Sequence, residues 1–347
     1  MKTNRWSVDK NVDEIESYPQ IAQAAEFLRK NEVVAFPTET VYGLGGNAEN
    51  DGAVAKIFAA KGRPSDNPLI IHIAEVERLY DFVEEVPEKA KKLIKKFWPG
   101  PLTIIFNKKE GKLSNKATAG LSTVAVRMPA HPVALAIIKE TGLPIAAPSA
   151  NRSGRPSPTT ADHVWDDLNG KIAGIFDGGP TGVGVESTVL DCTVGIPTIL
   201  RPGGITKEQL EAVIGLVNID PSLTDDKVAP KSPGMKYRHY APDAPLYLVE
   251  GTAETIQKLV NEKKARGLKV GILTTKENQE WYRGDYVFAC GKRSDLSTVA
   301  SKLYEALRYF NHTDVDIIYS EMFPHEGVGH AVMNRLLKAA GHRVIKG

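Results

Sequence analysis

Apolar positions recur along this chain with two different periods, and the switching between them marks its elements. In "QIAQAAEFLRKN" (20–31) the residues Ile21, Ala24, Ala25 and Leu28 share one face of a helix. "VVAF" (33–36) has no polar position and predicts a short buried strand halted by Pro37. A second helix is expected over 51–60, with Val54, Ile57 and Phe58 inward and Gly62 as its stop. "PLIIHIA" (68–74) predicts a strand and "EKAKKLIKKFW" (88–98) an amphipathic helix; "LTIIF" (102–106) and "TVAVRMP" (123–129) predict two further strands. The helix "PVALAIIKET", the strand "LPIAAPSAN", a helix near 160–168 and strands in "IAGIFDGG", "STVLDC" and "TILRPGG" follow. Thr206 and Gln209 have capping-box spacing for a helix over 207–214.

This alternation predicts an α/β domain over 1–215, in an order too irregular for a simple doubly wound sheet. Residues 216–245 then lose periodicity and carry five prolines between 220 and 245, as a linker does. Strands in "PLYLVEG", "KVGILTT", "DYVFACG" and "VDIIYSE" alternate with helices at 253–265, 295–309 and 329–340, which defines a second α/β domain over 246–347. Runs such as "KVGIL" and "VDIIY" lack strict alternation, so a parallel sheet buried on both faces is expected there.

Two domains also suit a length of 347 residues. A formal charge of +2 gives too weak a global field to call for nucleic acid or membrane as a partner. Two distant cysteines, Cys192 and Cys290, argue against a disulfide framework or a zinc ribbon and suit a reducing compartment. The opening "MKTNRWSVDKNVDEIESY" has no apolar core, so it does not read as a signal peptide, and a cytoplasmic protein is expected.

Local chemistry is more telling. "KGRPSDNP" (61–68) sets Lys61, Arg63 and Asn67 around a stiff turn. Cations at a helix end can simply complement its dipole, by ~0.3–1 kcal/mol. Beside a fixed amide they also suit a phosphate. In the strand that follows, Ile70 and His72 face away from Leu69, Ile71 and Ile73. Likewise Thr123, Ala125 and Arg127 share the face opposite Val124 and Val126. An inward guanidinium needs a partner, either an internal carboxylate or a ligand's carboxylate or phosphate. "PTETVYGLG" (37–45) and "APSAN" (147–151) place hydroxyl residues at strand ends, where binding crevices form. "GGPTGVGVEST" (178–188) could cradle an anion, but Gly-Lys nowhere precedes Ser or Thr, and Ser187 stands where the dinucleotide fingerprint needs its third glycine. "SPGMKYRHYAP" (232–242) is too rich in Tyr, His and cations for a passive tether and suggests a lid.

Taken in order, "FPTETVYGLG", "KGRPSDNPLIIHI", "WPGPLT", "VAVRMP", "PIAAPSANRSGRPSPT", "GGPTGVGVESTV" and "LRPGG" resemble the YrdC-like domain. "SPGMKYRHYAP" and "GVGHAVMNRLLKAA" resemble the longer, two-domain threonylcarbamoyl-AMP synthases. The resemblance implies a twisted, open mixed sheet around a large basic cavity, followed by a smaller Rossmann-like parallel α/β domain, with the linker folding over the active site. It implies synthesis of threonylcarbamoyl-AMP and pyrophosphate from L-threonine, bicarbonate and ATP with Mg2+. A separate transfer complex would place the product's acyl group on tRNA next to the anticodon, so direct tRNA binding is not required. Carried over by position, Thr40, His72, Arg127, Ala147 and Ser187 would surround threonine. Arg63, Asn67, Thr123, Ser149, Ser157, Arg201 and Tyr237 would hold ATP, with Lys61 near its phosphates; Lys61, Arg63 and Arg127 would serve catalysis. No protein-held metal site is implied.

Three rivals make different predictions. An RNA-binding module would show salt-steep affinity and no pyrophosphate release. A carbamoyl-transfer enzyme of hydrogenase maturation would carry zinc-finger cysteine pairs, which this chain lacks. A regulatory nucleotide sensor would bind ATP without turnover.

Overall fold

The structure is a computed structural model that describes residues 2–8, 15–223 and 240–347. Among these, the chain divides into two compact units: 2–153, 157–182 and 186–223 form one, and 154–156, 183–185 and 240–347 the other. Tyr237, with residues 224–239 of the expected linker and lid, lies outside the described residues.

The first unit is built on eleven strands: β1 (Asn4–Ser7), β2 (Val34–Phe36), β3 (Gly43–Asn47), β4 (Ile70–His72), β5 (Leu102–Asn107), β6 (Thr123–Arg127), β7 (Ile145–Ala146), β8 (Gly174–Asp177), β9 (Thr188–Asp191), β10 (Thr198–Arg201) and β11 (Asn218–Ile219). Its helices are α1 (Pro19–Arg29), α2 (Asp51–Lys61), α3 (Glu88–Phe97), α4 (Pro132–Thr141), α5 (Ala161–Leu168) and α6 (Lys207–Ile214). The strands join in the order β1-β8-β2-β3-β7-β4-β6-β5-β9-β10-β11. The sheet is mixed: β4–β6 and β5–β9 are parallel, while β4–β7, β5–β6 and β9–β10 are antiparallel. The mixed sheet and irregular order agree with the sequence expectation. At α6 the Thr206 hydroxyl accepts from Gln209 N–H and the Gln209 side chain accepts from Thr206 N–H, so the capping box is formed.

The alternation in the central strands divides two faces. Leu69, Ile71, Ile73, Leu102, Ile104, Val124 and Val126 enter the main core under the helices. Ile70, Ile105, Ala125, Val189 and Leu200 form a separate small apolar cluster on the opposite face. That second face carries His72, Thr123 and Arg127, because residues two apart on a strand point the same way.

Several strands escaped the hydrophobic pattern. β3 falls in "GLGGN", which reads as a loop, yet it is buried and hydrogen-bonded on both sides, to β2 and β7. Glycine is required there by close packing: a Cβ on Gly45 would stand 2.5 Å from the Phe36 ring and 2.9 Å from Ile145. β1 and β11 are edge strands of four and two residues, too short to show a period. β11 corrects the expected boundary, because Asn218–Ile219 lie inside the expected linker but pair in parallel with β10.

The second unit has five strands, β12 (Leu246–Glu250), β13 (Val270–Thr274), β14 (Tyr286–Ala289), β15 (Ile317–Glu321) and β16 (Val344–Lys346), with α7 (Ala253–Ala265), α8 (Leu296–Phe310) and α9 (Val328–Ala339). The order is β14-β13-β15-β12-β16 and every pair is parallel, as the uninterrupted apolar runs imply. Glu321 ends β15 as a buried carboxylate. Its Oε1 accepts from the Thr274 hydroxyl at 2.6 Å, Asn278 Nδ2 at 2.9 Å and the Tyr282 hydroxyl at 3.0 Å, and its Oε2 pairs with Arg293 at 3.1 Å. No helix of the described residues is long and apolar enough to cross a membrane.

Gly45→Ala should destabilise the chain by about 1–3 kcal/mol, the usual cost of overpacking a filled core. A urea unfolding midpoint that matches the native one would show that Phe36 and Ile145 have room to yield.

Candidate active site

Arg127 is the centre of the polar face. It ends β6 at 4% exposure, and its three guanidinium nitrogens meet three residues from two segments. Nε donates to Gly100 O at 3.3 Å, Nη1 donates to Thr40 Oγ1 at 2.9 Å, and Nη2 forms an ion pair with Glu39 Oε1 at 2.6 Å. In this structure an internal carboxylate, Glu39, meets the cation. The loop that supplies Thr40 is held by its own hydroxyls. Thr38 Oγ1 donates to Val41 O at 2.6 Å, so in the 2.9 Å contact between the two threonines it is Thr40 that donates.

His72 is the in-register partner of Arg127 on the parallel strand β4, so both side chains leave the same face. Its Nδ1 contacts Ile70 O at 3.2 Å; a carbonyl only accepts, so Nδ1 is the donor. Burial first, and the neighbouring Arg127 charge second, push the imidazole down to about 3. It is therefore neutral at physiological pH and adds no second cation beside the guanidinium.

Three strands along from β6, at the end of β10, Arg201 closes a second polar group. A bulge between Ile199 and Arg201 breaks the alternation of β10 and re-aims this side chain. Its Nε and Nη2 donate to Ser187 O at 3.1 and 2.9 Å, and Nη2 also donates to Ser187 Oγ at 3.1 Å. Thr103 Oγ1 lies 2.7 Å from Ser187 Oγ. β5 sits between β6 and β9 in the sheet, so Thr103 stands on the strand between the one that carries Arg127 and the one that Ser187 immediately precedes. The Ser157 hydroxyl donates to Glu186 Oε1 at 2.6 Å, one residue before Ser187.

Lys61 ends α2 at 2% exposure. Its ammonium donates to Asn151 O at 2.7 Å, to Asn151 Oδ1 at 3.3 Å and to Ser149 O. The Ser149 hydroxyl donates to Asn151 Oδ1 at 2.6 Å. Lys61 is thus a staple for the turn after β7, and Ala147 in that segment donates its N–H to Ile70 O at 3.0 Å. Both cysteines are buried, and burial pushes the Cys192 thiol up to about 12 and raises that of Cys290 as well, so neither is a ready thiolate.

A profile of the Sua5/YciO/YrdC family, described as "Telomere recombination", matches residues 26–203. A second, "Threonylcarbamoyl-AMP synthase, C-terminal domain", matches residues 205–341. The chain is 62% identical over 346 residues to the threonylcarbamoyl-AMP synthase of Bacillus subtilis (strain 168), covering 100% of both. It is 50% identical to that of Pyrococcus abyssi, over 94% of this chain and 96% of the other. A crystal structure of P. abyssi Sua5 complexed with L-threonine superposes with a TM-score of 0.92 at 48% identity, covering 100% of both chains.

This chain belongs to the threonylcarbamoyl-AMP synthase family. Against that family's expected site, the structure brings Thr40 onto Arg127, sets His72 beside it, and joins Ser187 to Arg201. Lys61 and Ser149 also meet. Thr123 shares the face of Arg127 but lies four residues back along β6, roughly 13 Å away at the usual strand rise. Asn67, buried, and Arg63, half-buried, lie in the segment before β4. Glu39, Thr38, Thr103 and Glu186 were missed by sequence reasoning. Thr103 carried a usable sign, being the sole polar residue in "LTIIF".

The depressed His72 pKa gives a signed prediction. Between pH 6.5 and about 3 the unfolded chain binds a proton at this position and the folded chain does not, so stability falls as pH falls through that window. His72 alone should account for a loss of about 2 kcal/mol between pH 7 and pH 5. Urea unfolding of His72→Gln should lack that component; an unchanged pH profile would show that the imidazole titrates normally.

Proposed function

We propose that this chain makes threonylcarbamoyl-AMP and pyrophosphate from L-threonine, bicarbonate and ATP. The observation that carries the reading is the buried guanidinium of Arg127. With Thr40 and neutral His72 around it, it offers an amino acid's carboxylate a fixed seat, in a family whose members bear this activity's name. Thr40, His72, Arg127, Ala147 and Ser187 would surround threonine, and Arg63, Asn67, Thr123, Ser149, Ser157, Arg201 and Tyr237 would hold ATP. Lys61 would stand near the phosphates of ATP and serve catalysis, and its contacts with Ser149 and Asn151 also fix the turn after β7.

The chemistry needs no protein nucleophile. Bicarbonate takes up a proton and loses water to give carbon dioxide. Threonine's amine then forms an N–C bond to that carbon, one C=O π pair moves onto oxygen, and the nitrogen loses a proton, giving a carbamate. A carbamate oxygen then forms a bond to the α-phosphorus of ATP, the bond from that phosphorus to the bridging oxygen breaks, and pyrophosphate leaves. Two anions must approach, so the barrier is mainly electrostatic and is lowered by fixed donors and cations. Holding the carboxylate on Arg127 also orients the amine. Mg2+ would arrive with the triphosphate, whose oxygens are the hard donors it prefers. The product is a reactive mixed anhydride, which a tRNA threonylcarbamoyl-transfer complex would consume.

Pyrophosphate release should require ATP, L-threonine and bicarbonate together. Arg127→Ala should lower it by at least about a hundredfold with the circular-dichroism spectrum unchanged. Equal release from ATP alone would refute the reading, and normal turnover in the variant would remove Arg127 from the site.

A further inference from the structure

Glu39 takes no part in the contacts just assigned, yet it is the carboxylate that meets Arg127. Its Oε1 stands 2.6 Å from Nη2, but neither carboxylate oxygen lies in line with a donor of the described residues, and both are sealed from solvent. A carboxylate offers about four acceptor sites, and leaving them unused in a buried position is costly. The other two guanidinium contacts go to neutral oxygens, Thr40 Oγ1 and Gly100 O. The backbone holds Glu39 in place: Thr38 Oγ1 accepts from the N–H groups of Thr40 and Val41, each at 3.2 Å, so the turn carrying Glu39 is tied at its base.

We propose that Glu39 binds the α-ammonium group of the amino-acid substrate while Arg127 binds its α-carboxylate. The inference rests on the threonine-binding reading above and deepens it. An α-amino acid carries its cation one carbon from its anion. A carboxylate seated on the guanidinium therefore brings its ammonium to a group already touching that guanidinium. The ligand's carboxylate replaces Glu39 at Nη2, and Glu39 turns its unused acceptor sites onto the ammonium. A neutral pair exchanges partners with a neutral zwitterion, so no net charge enters a buried place. A 2-hydroxy acid of the same shape would add one negative charge facing Glu39, and it is rejected for that reason. His72, held neutral, does not compensate it.

Calorimetric titration of the full chain with L-threonine and with its 2-hydroxy analogue, 2,3-dihydroxybutyrate, tests this. Native protein should prefer threonine. Glu39→Gln should lose at least about tenfold in threonine affinity, the scale of a hydrogen bond to a charged group, and bind the hydroxy acid no more weakly than before. Glu39→Asp keeps the charge and should keep the preference. ATP binding and circular dichroism should stay native in both variants. Unchanged or tighter threonine binding by Glu39→Gln would overturn the inference, as would equal losses for the two ligands. A native chain that binds no threonine would overturn the underlying reading instead.

Discussion

A guanidinium taken out of water must be met on all sides, and that requirement at Arg127 shapes the first unit around it. The side chain leaves β6 on the face turned away from the main core, where a small apolar cluster of the described residues forms a floor. Its partners come from the loop after β2 and the turn before β5, which are separated by about sixty residues of chain. Neither segment has a regular ladder of its own at that point. The buried charge makes their positions mutually dependent, because withdrawing any partner exposes a desolvated cation.

The same device recurs with different chemistry nearby. Lys61 grips the carbonyls of Ser149 and Asn151, and Arg201 grips that of Ser187. Three buried cations thus hold loop backbone in place, and hydroxyls of Thr40, Ser149 and Ser187 are aligned as a consequence. Donors fixed before a ligand arrives need no reorganisation during reaction, which suits a transformation whose difficulty is the approach of two anions. A neutral His72 belongs to this economy. A second cation in register with Arg127 would raise the cost of the pair without adding a fixed direction.

The second unit solves its polar problem with the opposite sign. Glu321 is a buried carboxylate saturated by two hydroxyls, an amide and one half-exposed guanidinium, drawn from the ends of β13 and the turns that follow the strands. Where Arg127 reaches a carboxylate with unused acceptor sites, Glu321 has its donors in place. That contrast separates a site prepared for exchange from a structural junction.

Much of this protein was settled by local pattern. The two periods of apolar residues define the helices, the central strands and the parallel character of the second sheet. The alternation in "PLIIHIA" and "TVAVRMP" already sets His72 and Arg127 on a face of their own. What local pattern cannot express is pairing across the sheet. The glycine-rich β3 is a strand only because β2 and β7 flank it, and the two-residue β11 exists only as an edge partner of β10. The direction of Arg201 depends on a bulge that no periodicity announces. Which carbonyls Lys61 meets, and which carboxylate meets Arg127, depends on residues about ninety positions distant, brought near by the fold. Sequence determines which way a side chain leaves its strand; tertiary structure decides what it meets, because the partner belongs to another part of the chain.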